Sequence, residues 1–115
     1  MNNPVIVVDA DATVAQAYPD DSNHTLAVAV SEKLANLKAR VIYPATAILE
    51  ATTALQGRLN SGATAYGIAI TFTDPNIQVV EVNQEVLRGA IKYFSSSTSK
   101  KNTLFDCVTA SVAEG

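Results

Sequence analysis

Four acidic residues stand where a carboxylate could do more than meet water: Asp9, Asp11, Glu50 and Asp106. The first two close the run Pro4-Val5-Ile6-Val7-Val8-Asp9-Ala10-Asp11-Ala12-Thr13. Its four consecutive β-branched residues read as a strand buried on both faces, as a parallel sheet requires. In an open α/β sheet ligands bind at the carboxyl ends of the strands, which puts Asp9 at the rim of the expected crevice. Two carboxylates brought close repel each other unless a cation lies between them. The competing use is capping, because an Asp after a strand commonly starts the next helix.

Glu50 and Asp106 lie within otherwise apolar or small-residue segments, Thr46-Ala47-Ile48-Leu49-Glu50-Ala51-Thr52 and Leu104-Phe105-Asp106-Cys107-Val108. At about 100° per residue, Glu50 falls opposite an Ile48-Leu55-Leu59 stripe, with Ala47, Ala51 and Ala54 for neighbours. Asp106 falls opposite Leu104-Val108-Val112, beside Ala110 and Ala113. Small neighbours leave the room a shallow acidic cleft needs, and they suit an ordinary exposed face equally well. For Asp106 there is a specific alternative, since Thr103-x-x-Asp106 fits a capping box.

The elements that must position these acids follow in order. After the first strand, Ala12 to Tyr18 reads as a helical turn ending before Pro19. Asp20-Asp21-Ser22 offers N-caps for a helix to about Lys38, with Leu26, Val30, Leu34 and Leu37 on one face. Glu32, Lys33 and Lys38 form its solvated side, and His24 is a surface or capping residue. Arg40 to Pro44 is a second strand, followed by a helix carrying Ile48, Thr52, Leu55 and Leu59 and ended by Asn60-Ser61-Gly62. Ala63 to Phe72 reads as a further helix or the second arm of a helical hairpin. Asp74-Pro75-Asn76 is a turn and Ile77 to Val82 a third strand. Asn83 then caps a helix to about Phe94. Ser95 to Lys101 is a polar loop, and a last helix runs from Asn102 or Thr103 to Gly115. Strands alternating with helices predict a parallel three-layer α/β/α sandwich, with residues 1–115 forming one domain.

Composition narrows the chemistry. Of the 115 residues 48% are apolar and 17% charged, which excludes a disordered chain. No apolar window is long enough to span a bilayer, so a soluble, cytoplasmic protein is expected. A single cysteine, Cys107, and a single histidine, His24, exclude an internal disulfide and argue against a zinc site. Cys107 reads as a small buried apolar residue. The net charge of -3 gives no general attraction for nucleic acid. Lys100-Lys101, Arg58 and Arg88 could contact phosphates, although scattered basic residues are usually only solvated.

The order of Val-Val-Asp9-Ala-Asp11 after a first strand, Glu50 early in the helix after a second, and Leu-Phe-Asp106-Cys-Val-Thr-Ala opening a late helix resembles the PIN domain. Within it, the chain is most similar to the VapC-type toxin ribonucleases of VapBC toxin–antitoxin pairs. The resemblance spans nearly the whole sequence and implies acids gathered at one end of the sheet, binding Mg²⁺ or Mn²⁺ to cleave RNA. By position it makes Asp9, Glu50 and Asp106 the catalytic, metal-site acids and Asp11 a supporting polar residue. It also implies an RNA substrate and an antitoxin-like protein partner. PIN domains continue past the Asp106-type helix into another strand followed by a further acid, whereas this sequence closes at Gly115. The first strand is then an apolar edge, and the expectation is an oligomer or a protein poorly soluble alone.

Two rival functions remain open. Asp9-Ala10-Asp11-Ala12-Thr13 is also similar to the first motif of haloacid-dehalogenase-like phosphatases, with Asp9 as nucleophile, Asp11 as acid/base and Thr46 in the second motif. The other rival is a degenerate PIN-like domain that only binds a partner or its own copy.

Overall fold

The computed structural model describes residues 3–94 and 103–114. Among these the order is β1 (Val5–Val7), α1 (Ala10–Ala17), α2 (His24–Asn36), β2 (Arg40–Pro44), α3 (Ala45–Gln56), α4 (Gly62–Thr71), β3 (Gln78–Val80), α5 (Gln84–Ala90) and α6 (Leu104–Glu114). The three strands form a parallel sheet in the order β1-β2-β3. Val5 pairs with Arg40 and Ile42 with Gln78. Beyond the strand proper, the Val8 N–H still donates to the Ile42 carbonyl at 2.9 Å, so pairing persists up to Asp9. This is the α/β architecture with a parallel sheet that the alternating pattern predicts.

Small side chains decide how the helices pack. Ala10 and Val14 of α1, Ala47, Ala51 and Leu55 of α3, and Ala65 and Ile68 of α4 form one buried cluster. Interhelical distance is set by the side chains at the contact, and alanines let the backbones approach. A second cluster joins Ala90 of α5 to Cys107 and Val108 of α6, with Val82 and Val86 against it. There the Ser111 hydroxyl donates to the Val86 carbonyl at 2.9 Å. A Cβ built on Gly89 would collide with that hydroxyl, so α5 and α6 meet where only glycine fits without a shift. Cys107 is buried as expected.

Four expectations are corrected. The first strand is not buried on both faces, since Val5 is 55% exposed and Ile6 and Val7 are half-buried. The cause is its place at the sheet margin, where β2 is its only strand partner among the described residues. The helix with the Leu26-Val30-Leu34-Leu37 stripe forms, but that stripe is not covered: Leu26 is 64% and Leu37 54% exposed, and no residue of α2 is fully buried. α3 stops at Gln56 rather than near Leu59, because the chain turns through Gly57 into Asn60, whose φ of 48° is left-handed. Ala47 and Ala51, read as clearing space near Glu50, are core residues. The predicted polar loop at 95–101 lies wholly outside the described residues, and the described last helix starts at Leu104.

Leu55 is fully buried at the centre of the larger cluster. Leu55→Ala is expected to destabilise the fold by about 2–5 kcal/mol, read from urea unfolding followed by circular dichroism.

Candidate functional site

Each acid is held by a helix. Asp9 follows β1 and is the N-cap of α1, its Oδ1 accepting the Ala12 N–H at 2.8 Å. Its own carbonyl accepts the Thr13 hydroxyl at 2.8 Å, and Thr13 is 2% exposed. A buried threonine thereby fixes the backbone from which Asp9 projects. Asp11 lies in the first turn of the same helix and is exposed. Glu50 projects from the first half of α3 and is half-buried. Asp106 lies in the first turn of α6.

The Asp106 capping box is present. Its Oδ2 accepts the Thr103 N–H at 3.1 Å, while the Asp106 N–H donates to Thr103 Oγ1 at 3.3 Å. Two acids thus sit at helix N-termini, where the backbone dipole favours negative charge. Each cap also holds its carboxylate in one orientation. The capping reading and the site reading of these acids are compatible.

Packing brings the helices together. α1 packs on α3, and α6 packs on both α3 and β1. The electrostatics carry the imprint. Burial pushes the Glu50 carboxyl above its ordinary value, and repulsion from Asp106, Asp11 and Asp9 pushes it the same way, against a pull from Arg58. Glu50 therefore feels all three of the other singled-out acids, which lie far apart in number. Among the described residues no three acids, histidines or cysteines are close enough to form a ready-made metal cluster. The four carboxylates share a neighbourhood without closing into a cage.

The donor chemistry suits a hard divalent cation. All four acids offer oxygen, and Mg²⁺ is typically held by one or two carboxylates while it keeps several waters. One turn before Glu50, the buried Thr46 Oγ1 has no hydrogen-bond partner, a spare oxygen on the same helix. The other candidates fall elsewhere. His24 Nδ1 lies 2.7 Å from the Ala15 carbonyl, tying α2 to α1. Arg88 lines a groove between α5 and α6 with Lys92 and Glu114. Lys100 and Lys101 lie outside the described residues. Arg58 lines a groove that contains Glu50. Thr13 was not among the sequence candidates; a threonine four residues after Asp9, positioned for a back-bond to its carbonyl, is the signal that could have found it.

The raised Glu50 makes a pH-dependent prediction. A carboxyl whose proton affinity rises on folding binds more proton in the native than in the unfolded chain, so stability falls as pH rises above the ordinary glutamate range. Glu50→Gln is expected to raise Tm at neutral pH in chelator. The gain should vanish once pH drops below that range, where both side chains are neutral. Partial exposure keeps the gain small. Thermal melts across pH provide the check.

No family model matches the chain, and no curated protein matches it by sequence. Among solved structures it is similar to the Mycobacterium tuberculosis toxin VapC20, described as cleaving the sarcin-ricin loop, with a TM-score of 0.78 and 15% identity. That match covers 96% of this chain and 81% of the toxin chain, and it shows that the two share the VapC-type PIN fold.

Proposed function

We propose that this chain is a metal-dependent endoribonuclease of the PIN-domain, VapC-like type, hydrolysing RNA phosphodiesters. The observation that carries the reading is the packing of α1 and α6 on α3, which brings Asp9, Asp11 and Asp106 near enough to Glu50 to raise its proton affinity. The fold shared with a VapC toxin supports it. Asp9, Glu50 and Asp106 would hold Mg²⁺ or Mn²⁺, with Asp11 in support. When bound, such an ion lowers the pKa of a water and offsets charge building on the phosphate.

The chain's own contribution is preorganisation. The Ala12 N–H and the Thr13 hydroxyl fix Asp9 and its backbone. The capping box fixes Asp106, and Glu50 stands half-buried on α3, the helix on which α1 and α6 both pack. The caps spare Asp9 and Asp106 part of the ordering that holding a cation requires. With this reading come an RNA substrate, an antitoxin-like protein partner, a cytoplasmic setting and self-association through the β1 edge. Among the described residues no helix is long and apolar enough to cross a membrane.

A second reading, a binding module without catalysis, draws on the capping hydrogen bonds of Asp9 and Asp106 and on the absence of a three-acid cluster among the described residues. RNA incubation with and without Mn²⁺, beside Asp9→Asn, separates the two. Asn caps a helix about as well as Asp, so the variant is expected to fold while losing cleavage. Mn²⁺ is expected to raise the Tm of the wild type and leave that of Asp9→Asn unmoved. Cutting that survives the substitution indicates a contaminating nuclease, and an intact RNA favours the binding module. Hydrolysis of a simple phosphomonoester points instead to the phosphatase chemistry of an Asp9–Asp11 pair.

A further inference from the structure

The apolar stripe of α2 is not the side on which that helix packs. His24, Ala27, Ser31 and Leu34, spaced at three and four residues, are half-buried. That side is fastened to α1 by His24 against the Ala15 carbonyl and by Gln16 donating to the Ser31 hydroxyl. Leu26, Val30 and Leu37 follow an adjoining line and are 64%, 45% and 54% exposed. Single exposed apolar residues are ordinary, but three along about 16 Å of one helix make a surface. Leu26 and Val30 also wall a groove of about 290 Å³ shared with Ala12 and Ala15 of α1. Charge is divided between the ends of the same helix. Asp20 and Asp21 precede it, Lys33 lies in its last turn, and Lys38 and Arg40 follow it. Its 13 residues hold the acidic and basic ends about 20 Å apart, too far to pair within one chain. Acids at the start and bases at the end suit the helix dipole. They also make the face complementary to its own reverse.

We infer that this face binds a second copy of the chain, the two α2 helices packing antiparallel about a two-fold axis near Val30. In such a contact the same patch serves both partners, so the pattern on one helix must fit its own reverse. Reversal about Val30 sets Val30 on Val30, Leu26 beside Leu34, and Asp20 and Asp21 of one copy opposite Arg40 and Lys38 of the other. All but Asp21 and Leu34 of these are exposed in the single chain. A parallel arrangement would set acid on acid and base on base, which repel. Lys33 lies on the stripe, where its aliphatic stem covers apolar surface and its charge stays at the rim. A lysine in such a seam selects one register at some cost in strength. One helix face is small beside the roughly 800 Å² per partner of a standard interface, so the dimer forms only as concentration rises. The inference is independent of the nuclease reading.

Sedimentation equilibrium across protein concentrations tests it. The wild-type chain is expected to pass from monomer to dimer as concentration rises. Val30→Glu puts two like charges on the axis and is expected to raise the dissociation constant about a hundredfold. Asp20→Lys and Arg40→Glu are each expected to weaken self-association several-fold, since every substitution counts twice in a two-fold contact. Mixed in equal amounts, those two variants are expected to pair more tightly than either does with itself, because opposite charges then meet at both ends. Circular dichroism at low concentration checks that each variant is folded. A wild type that stays monomeric throughout overturns the inference. So does a dimer that withstands Val30→Glu, which assigns self-association to another surface such as the β1 edge. A mixture that pairs no better than its components overturns the antiparallel contact as well. None of these outcomes bears on the nuclease reading, which stands or falls on wild-type cleavage in Mn²⁺.

Discussion

The close seam between α1 and α3 is the constraint on which this structure turns. Ala10 and Val14 of α1 share one buried cluster with Ala47 and Ala51 of α3, three of the four being alanine. That approach brings the turn after β1, which carries Asp9 and Asp11, towards the middle of the helix after β2, which carries Glu50. Larger residues in the seam would push the helices apart and separate the acids without altering any of them. The core thereby sets the spacing of the site.

Gathering negative charge in this way works against folding. Glu50 is lifted above its ordinary range by its own burial and by its neighbours. The fold tolerates this because Asp9 and Asp106 also satisfy helix N-terminal N–H groups. A residue that starts a helix beside other acids supports stability with one oxygen, and the cap does not draw on the second. Sites that strain against stability are where local rules are expected to break.

Much of this was legible in the chain. The β-branched runs at 5–8, 40–44 and 77–82 mark the parallel strands, Asn83 caps α5 through Val86, and the Thr103–Asp106 box forms as its spacing requires. Periodicity was less informative about what covers a face. Leu26, Val30 and Leu37 repeat as a buried stripe would, yet they remain largely exposed, because a repeat reports the geometry of one helix and nothing of its neighbours. The end of α3 was overrun for a related reason. Leu59 continues the apolar rhythm and does pack on the core, but from a turn beyond the helix. For the acids, sequence supplied order and chemical type, whereas Thr13 beneath Asp9 and the groove linking Glu50 to Arg58 depend on three dimensions.

The uncovered stripe of α2 has a dynamic consequence. That helix contributes no fully buried residue, and among its fastenings to α1 are polar contacts, His24 to the Ala15 carbonyl and Gln16 to Ser31. Local opening is governed by how much apolar contact must be broken, so α2 is expected to open more readily than the α1–α3–α4 cluster. Its amide protons are then expected to exchange ahead of those in that cluster.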